Sequence, residues 1–186
     1  FIHNVMNTDY IIGISDTASD ALNLLFNTSS GRAYLAKRTG LGQEFLGALA
    51  DLGLSSIANV LGAVKLAKYA DMGSNDAILT VATDGSELYG TEQEKALSQQ
   101  PGGRLDTAAA AEAYGRYMLG AATDHLLETS RRDRERIFNL GYYTWVEQQG
   151  VDVPAFEVRR EQSFWDGLMS KVPQWDAMID AFNSNL

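Results

Sequence analysis

Two polar segments of this 186-residue sequence combine residue types that could take part in chemistry. Ser55 and Ser56 lie at the predicted start of an apolar helix, where free N–H groups and the helix dipole favour an anion or a carboxylate. Residues 83–89 (T-D-G-S-E-L-Y) follow a predicted strand, at the edge where open α/β sheets bind ligands. Helix capping by Ser55 or Ser56, and an ordinary strand-to-helix turn, explain the same residues without a ligand. Residue physics alone leaves both explanations open.

The composition excludes several other kinds of chemistry. There is no cysteine, which rules out disulfides and thiolate catalysis and agrees with a reducing cytoplasm. The two histidines, His3 and His125, lie too far apart for a histidine metal motif, and no recognisable nucleophile setting accompanies them. The net charge of −9 argues against binding to nucleic acid or to an anionic membrane.

The sequence also lacks membrane and export signals. No apolar run reaches the roughly 18 residues of a membrane span, and the first residues do not resemble a signal peptide. We therefore expect a cytoplasmic protein without a membrane partner. The sequence begins with Phe1 rather than methionine, which predicts an internal point of a longer chain, although a removed tag or initiator would look the same.

The elements that position the two polar segments follow an α/β pattern. An apolar run at 77–82 is continuous rather than alternating, which is typical of a buried parallel strand. The order of strands and helices predicts an α/β fold with part of a parallel sheet. The predicted strands are 10–14 and 77–82, and the predicted helices are 16–27, 32–39, 43–52 and 57–69.

After the turn the sequence changes character and predicts only helices. Residues 98–103 (S-Q-Q-P-G-G) form a predicted linker, so we expect an α/β part at 1–97 and a helical extension at 104–186. The charged run 131–136 predicts a solvated helix face or a subunit contact, because acidic residues alternate with the basic ones. The predicted helices of the extension are 107–127, 131–149, 155–169 and 173–182.

Three segments, in the same order, resemble segments of cysteine synthases. Residues 52–68 (L-G-L-S-S-I-A-N-V-L-G-A-V-K-L-A-K) resemble the family's G-I-S-S-G-A-A-V-A-A-A-L-K-L-A-K stretch. Residues 83–89 resemble its P-(S/D)-S-G-E-R-Y turn, and residues 7–16 resemble its N-L-D…V-V-G-I-S-D segment. Together they cover residues 4–89 and indicate a fold-type II pyridoxal-phosphate enzyme, the group that contains cysteine synthase and tryptophan synthase β.

The resemblance implies a set of coenzyme-binding residues. Gly13 aligns with a glycine that lines the coenzyme ring. The serine that hydrogen-bonds the pyridine nitrogen aligns with Gly85, which has no side chain, so the resemblance passes that role to Ser86 or to Asp84. We prefer Ser86. A hydroxyl there leaves the ring nitrogen largely neutral, whereas a carboxylate keeps it protonated.

The resemblance also implies an activity that this chain does not complete alone. It assigns Ser55 and Ser56 to the amino-acid substrate, although Ile57 replaces the glycine that follows them in the family. The Schiff-base lysine and the phosphate loop of the family lie on an N-terminal segment, and none of the lysines present has the expected S-x-K setting. These lysines are Lys37, Lys65, Lys68, Lys95 and Lys171, and all five are predicted surface helix residues.

We therefore expect the C-terminal part of a pyridoxal-phosphate enzyme that catalyses β-elimination or β-replacement on an amino acid. An N-terminal segment of the same enzyme is the expected partner, and a homodimer is the expected assembly. The alternative is a non-catalytic helical interaction module on a degenerate fold-type II scaffold. The helical extension and the loss of the serine at Gly85 favour that alternative.

Overall fold

The computed structural model describes residues 3–184, and most of them are helical. The chain divides into two compact units. The core unit contains residues 12–126, and the terminal unit joins residues 3–11 to residues 127–184.

The core unit is built from helices whose ends carry clear sequence signals. Its α-helices are α1 (Asp16–Asn27), α2 (Ser29–Thr39), α3 (Gln43–Ala48), α4 (Leu54–Tyr69), α5 (Gly90–Ser98) and α6 (Thr107–Ala113). Ser15 caps α1 by accepting a hydrogen bond from the Ala18 N–H at 3.2 Å. Thr28 joins α1 to α2, because its hydroxyl donates to the Leu24 carbonyl and accepts from the Gly31 N–H.

Helix α1 lies at the centre of the core unit. Its Leu22, Leu24 and Leu25 are at most 1% exposed, and each such burial stabilises the fold by roughly 1.5–3 kcal/mol. They pack with apolar residues from the rest of the unit, among them Leu35, Leu46, Ile57, Leu61, Leu105 and Ala110. Ala110, on α6, is fully buried in this cluster.

The predicted parallel-sheet α/β fold is wrong. The sheet in residues 3–184 has two strands, β1 (Tyr10–Ile12) and β2 (Leu126–Glu128), and they run antiparallel. Residues 77–82, predicted as a buried strand, have no regular secondary structure, and Leu79 is 98% exposed. A strand of a parallel sheet needs hydrogen-bonded neighbours on its edges, and the described residues place no strand beside this segment.

The terminal unit packs around a small aromatic centre. Its α-helices are α7 (Arg131–Tyr142), α8 (Val153–Glu157), α9 (Gln162–Met169) and α10 (Val172–Asn183). Phe138 and Phe156 are buried, and their ring centroids lie 4.7 Å apart. Ser130 and Asp133 form a capping box at the start of α7.

The charged run 131–136 has specific partners within the terminal unit. Arg134 donates to the Thr8 carbonyl at 2.9 Å and to the Asp9 carboxylate at 2.8 Å, which holds the segment around residues 8–9 against α7. Asp133 accepts from the Ser130 N–H at the start of the helix and also pairs with Arg136.

No single helix within residues 3–184 is long and apolar enough to cross a membrane, although the bent pair Gln43–Asp51 and Leu54–Tyr69 passes that test jointly.

Candidate functional site

The start of α4 is not capped by a side chain. The helix begins at Leu54 with Gly53 as its N-cap, so Ser55 and Ser56 lie inside the first turn. Helix capping by Ser55 or Ser56, the alternative explanation of these residues, is therefore wrong. The N–H groups of a first helical turn have no partner within the helix and carry its positive dipole end. This end of α4 keeps donors available for an anionic group.

The turn at residues 83–89 lies directly against this end of α4. The Thr83 N–H donates to the Ser56 hydroxyl at 2.9 Å, and the Gly53 N–H donates to the Asp84 carbonyl at 2.7 Å. Ser56 is 1% exposed, so its hydroxyl serves this contact rather than the solvent. The structure thus brings together two of the predicted site segments, about 30 residues apart in sequence.

Asp84 forms a short hydrogen bond with Tyr89 within the turn. The Tyr89 hydroxyl donates to the Asp84 carboxylate at 2.5 Å. This bond raises the pKa of Tyr89, since a phenolate would lose the donated bond and lie beside a negative charge, while a hydrogen bond from Ser55 partly offsets the rise. No ion pair in residues 3–184 joins Asp84 to a cation. The turn therefore presents an uncompensated carboxylate.

Ser86 is oriented by a chain of two asparagines. The side-chain nitrogen of Asn27 donates to the side-chain oxygen of buried Asn23 at 2.8 Å. This bond orients the Asn27 amide. Its own oxygen then accepts from the Ser86 hydroxyl at 3.1 Å. Because that proton is committed to Asn27, the Ser86 oxygen can act toward a ligand only as an acceptor. Gly85, between Asp84 and Ser86, contributes backbone alone.

Gly13, which precedes α1, lies near Lys65, away from the start of α4. Its N–H donates to the His125 carbonyl at 2.8 Å, and its own carbonyl lies 3.5 Å from the Lys65 ammonium. Lys65 follows Ser56 by nine residues on α4, which corresponds to about 14 Å along the helix axis. The contacts of Gly13 do not include the turn at 83–89, and its role beside a coenzyme ring stays a prediction.

Lys65 is more deeply placed than its sequence context suggests. It was predicted as a surface helix residue, but its side chain is only 12% exposed. Its ammonium donates to the Asp124 carboxylate at 3.0 Å and to the Asp124 carbonyl at 2.8 Å. The hydrogen bond from Lys65 lowers the pKa of Asp124. No sequence signal links two residues 59 positions apart, so this pair could not be found beforehand.

The two adjacent serines are expected to respond differently to truncation. Ser56→Ala removes the acceptor of the part-buried hydrogen bond from the Thr83 N–H and should lower the free energy of unfolding by about 1–1.5 kcal/mol. Ser55→Ala, at an exposed position, should change it by no more than about 0.5 kcal/mol. Urea denaturation followed by circular dichroism measures both. Equal losses in the two variants would contradict the assigned role of Ser56.

Comparison of the chain with protein-family models, with characterised proteins and with solved structures gives no significant match.

Proposed function

We propose that this chain is the C-terminal part of a pyridoxal-phosphate enzyme that acts on an amino acid by β-elimination or β-replacement. The observation that carries the proposal is the packing of the turn at 83–89 against the uncapped start of α4, through Ser56 and Gly53. These are two of the three segments that carry the resemblance to cysteine synthases, and their mutual contact is what a shared ligand site requires.

The polar groups of the turn are compatible with the coenzyme's pyridine ring. Asp84 offers a carboxylate without a cationic partner in residues 3–184, and Ser86 offers an oxygen whose proton is already donated to Asn27. Both candidates could accept a hydrogen bond from a protonated ring nitrogen, but only the negative charge of Asp84 would keep the proton there. When bound in that protonated form, the coenzyme supplies an electron sink for the substrate's electrons. The choice between Asp84 and Ser86 therefore decides the charge that the ring would carry.

The start of α4 supplies the complementary part of the site. Its first-turn N–H groups and positive dipole end suit the substrate carboxylate. Ser55 is exposed, and its hydroxyl bonds Tyr89, so it lies between this helix end and the turn. Ser56 is buried and holds the two segments together. We assign substrate contact to Ser55 and a positioning role to Ser56.

The lysine that binds the coenzyme's aldehyde is proposed to lie on an N-terminal segment of the same enzyme. Two of the lysines in this chain are already engaged by the core unit. Lys65 bonds Asp124, and Lys68 donates to the Ala121 carbonyl at 2.5 Å. Neither has its amine free for a covalent bond without breaking those contacts. A homodimer in the cytoplasm remains the expected assembly.

A covalent labelling experiment tests this function. The chain and the full-length protein are each mixed with pyridoxal phosphate, reduced with borohydride and mapped by mass spectrometry. We expect no lysine of this chain to be labelled stoichiometrically, because none has the expected sequence context and Lys65 and Lys68 are hydrogen-bonded. In the full-length protein we expect one stoichiometric label, outside residues 1–186.

The other outcomes of this experiment are also decisive. Stoichiometric labelling of one of the five lysines present would contradict the proposed division of the site between segments. A full-length protein that retains no coenzyme would contradict the enzymatic function. It would favour instead the non-catalytic helical module, which the absence of a side chain at Gly85 also favours.

A further inference from the structure

Two consecutive arginines of the terminal unit have very different surroundings. Both belong to the short 3₁₀ turn Val158–Arg160, and both guanidinium groups lie over the Phe138 ring. Arg160 is neutralised by two carboxylates, those of Glu135 and Glu157. Burial alone would lower its pKa, and these two carboxylates raise it. Arg160 is thus a structural ion-pair residue.

Arg159 has no such counter-charge. Its guanidinium lies 4.5 Å from the ring centroid of Phe156 and 5.3 Å from that of Trp145, and its Nε donates to the Phe156 carbonyl. No ion pair in residues 3–184 joins it to a carboxylate. Burial lowers the pKa of Arg159, with no charged neighbour to oppose it. Within residues 3–184, its hydrogen bond is made by Nε, and its two terminal nitrogens make none.

A cavity of about 350 Å³ opens beside this guanidinium. This is within the size range of small-ligand sites in proteins. Its lining is mostly apolar, with Val5, Ile137 and Trp145 among the walls, and the side chains of His3 and Thr144 are polar. The cavity thus combines one planar cation with a largely apolar interior.

We propose that this cavity binds a carboxylate that carries a small apolar group, with Arg159 as its anchor. A guanidinium presents parallel N–H groups that match the two oxygens of a carboxylate. A partly desolvated cation without a counter-ion is costly, and an anion that enters the cavity removes that cost. The apolar walls favour an organic acid over a free phosphate, which has no apolar part to pack against them. The inference concerns the terminal unit and is independent of the proposed coenzyme site.

Binding of 4-fluorobenzoate by the full chain, followed by fluorine NMR, tests the inference. The neutral analogue 4-fluorobenzamide has almost the same shape but no charge, and inorganic phosphate has charge but no apolar body. We expect saturable binding of the benzoate, at least about tenfold weaker binding of the amide and of phosphate, and weakening of benzoate binding as salt is raised.

Two variants locate the site. Arg159→Gln should weaken benzoate binding by about tenfold or more, whereas Arg131→Gln removes the same charge at an exposed position of the same unit and should leave binding unchanged. Equal binding of the acid and the amide, or no binding of the acid by the unmodified chain, would overturn the inference. So would unchanged binding in a folded Arg159→Gln variant. If that variant does not fold, the comparison of acid, amide and salt in the unmodified chain decides alone.

Discussion

Gly31→Ala is expected to destabilise the core unit by about 3 kcal/mol, the upper range for an overpacked site. A Cβ at position 31 would lie 2.2 Å from the Leu25 carbonyl oxygen and 2.7 Å from its carbonyl carbon. These atoms belong to the backbone of α1, so no side-chain rotation can relieve the overlap. Either α1 or α2 must move, and Leu25 is part of the fully buried centre of the unit. Denaturation followed by circular dichroism, with hydrogen exchange of the α1 and α2 amides, measures the loss.

The matched control for this substitution is Gly62→Ala. Gly62 lies inside α4, and a Cβ there meets no atom within 4 Å. Alanine is favoured over glycine within a helix by about 0.5–1 kcal/mol, so this variant should be more stable than the unmodified chain. The two substitutions add the same methyl group and should act in opposite directions. A Gly31→Ala variant as stable as Gly62→Ala would show that α1 and α2 do not approach as closely as described.

Helices α1 to α4 could largely be predicted because their signals are local, whereas α5 was not predicted and α6 is shorter than the predicted helix 107–127. Ser15 predicts the start of α1, and it caps that helix. Gly40 ends α2 in the left-handed conformation with φ of 74°, as its position between two predicted helices suggests. The run of apolar residues at 57–69 lies in α4. Each of these predictions depends on residues within a few positions of one another.

The sheet could not be predicted because each strand needs a partner strand, and that partner can lie far away in the sequence. The apolar run at 77–82 has the composition of a buried strand, but composition cannot state whether a neighbouring strand exists. Tyr10–Ile12 does form a strand, and its partner Leu126–Glu128 lies more than 110 residues further along the chain. That partner was predicted as the end of a helix. The α/β prediction is wrong because a local apolar pattern does not determine whether a strand has a partner to pair with.

The candidate site divides in the same way. The resemblance singled out the residues at 55–56 and at 84–86, and these segments do lie together in the fold. The hydrogen bonds that set their chemistry were not predictable. Asn27 orients Ser86 from 59 residues away, and Tyr89 bonds Asp84 through a turn geometry that no motif specifies. The lack of an ion pair at Arg159 could not be predicted either. It arises because the fold places Glu135 and Glu157 beside Arg160 rather than beside Arg159.

Gly53→Ala is expected to separate the turn at 83–89 from the start of α4, with a loss of about 2–3 kcal/mol in the free energy of unfolding. A Cβ at position 53 would lie 2.6 Å from the Asp84 carbonyl oxygen and 2.6 Å from a ring carbon of Tyr89. The same displacement would break the 2.7 Å hydrogen bond between the Gly53 N–H and Asp84. Gly42→Ala is the matched control, because Gly42 is also a helix N-cap but a Cβ there meets nothing within 4 Å.

The two N-cap variants also differ in what they do to Tyr89. Its pKa is raised in the unmodified chain because its hydroxyl donates to the Asp84 carboxylate. The Asp84–Tyr89 bond lies within the turn, whereas Ser55, whose hydrogen bond lowers the Tyr89 pKa, lies on α4. Displacement of the turn by Gly53→Ala should therefore raise the pKa of Tyr89 further, while Gly42→Ala should leave it unchanged. Titration of the Tyr89 ring signals by NMR measures this shift. Equal stability losses and an unchanged Tyr89 pKa in both variants would mean that the turn is not held against α4. The segments on which the proposed coenzyme site depends would then not meet.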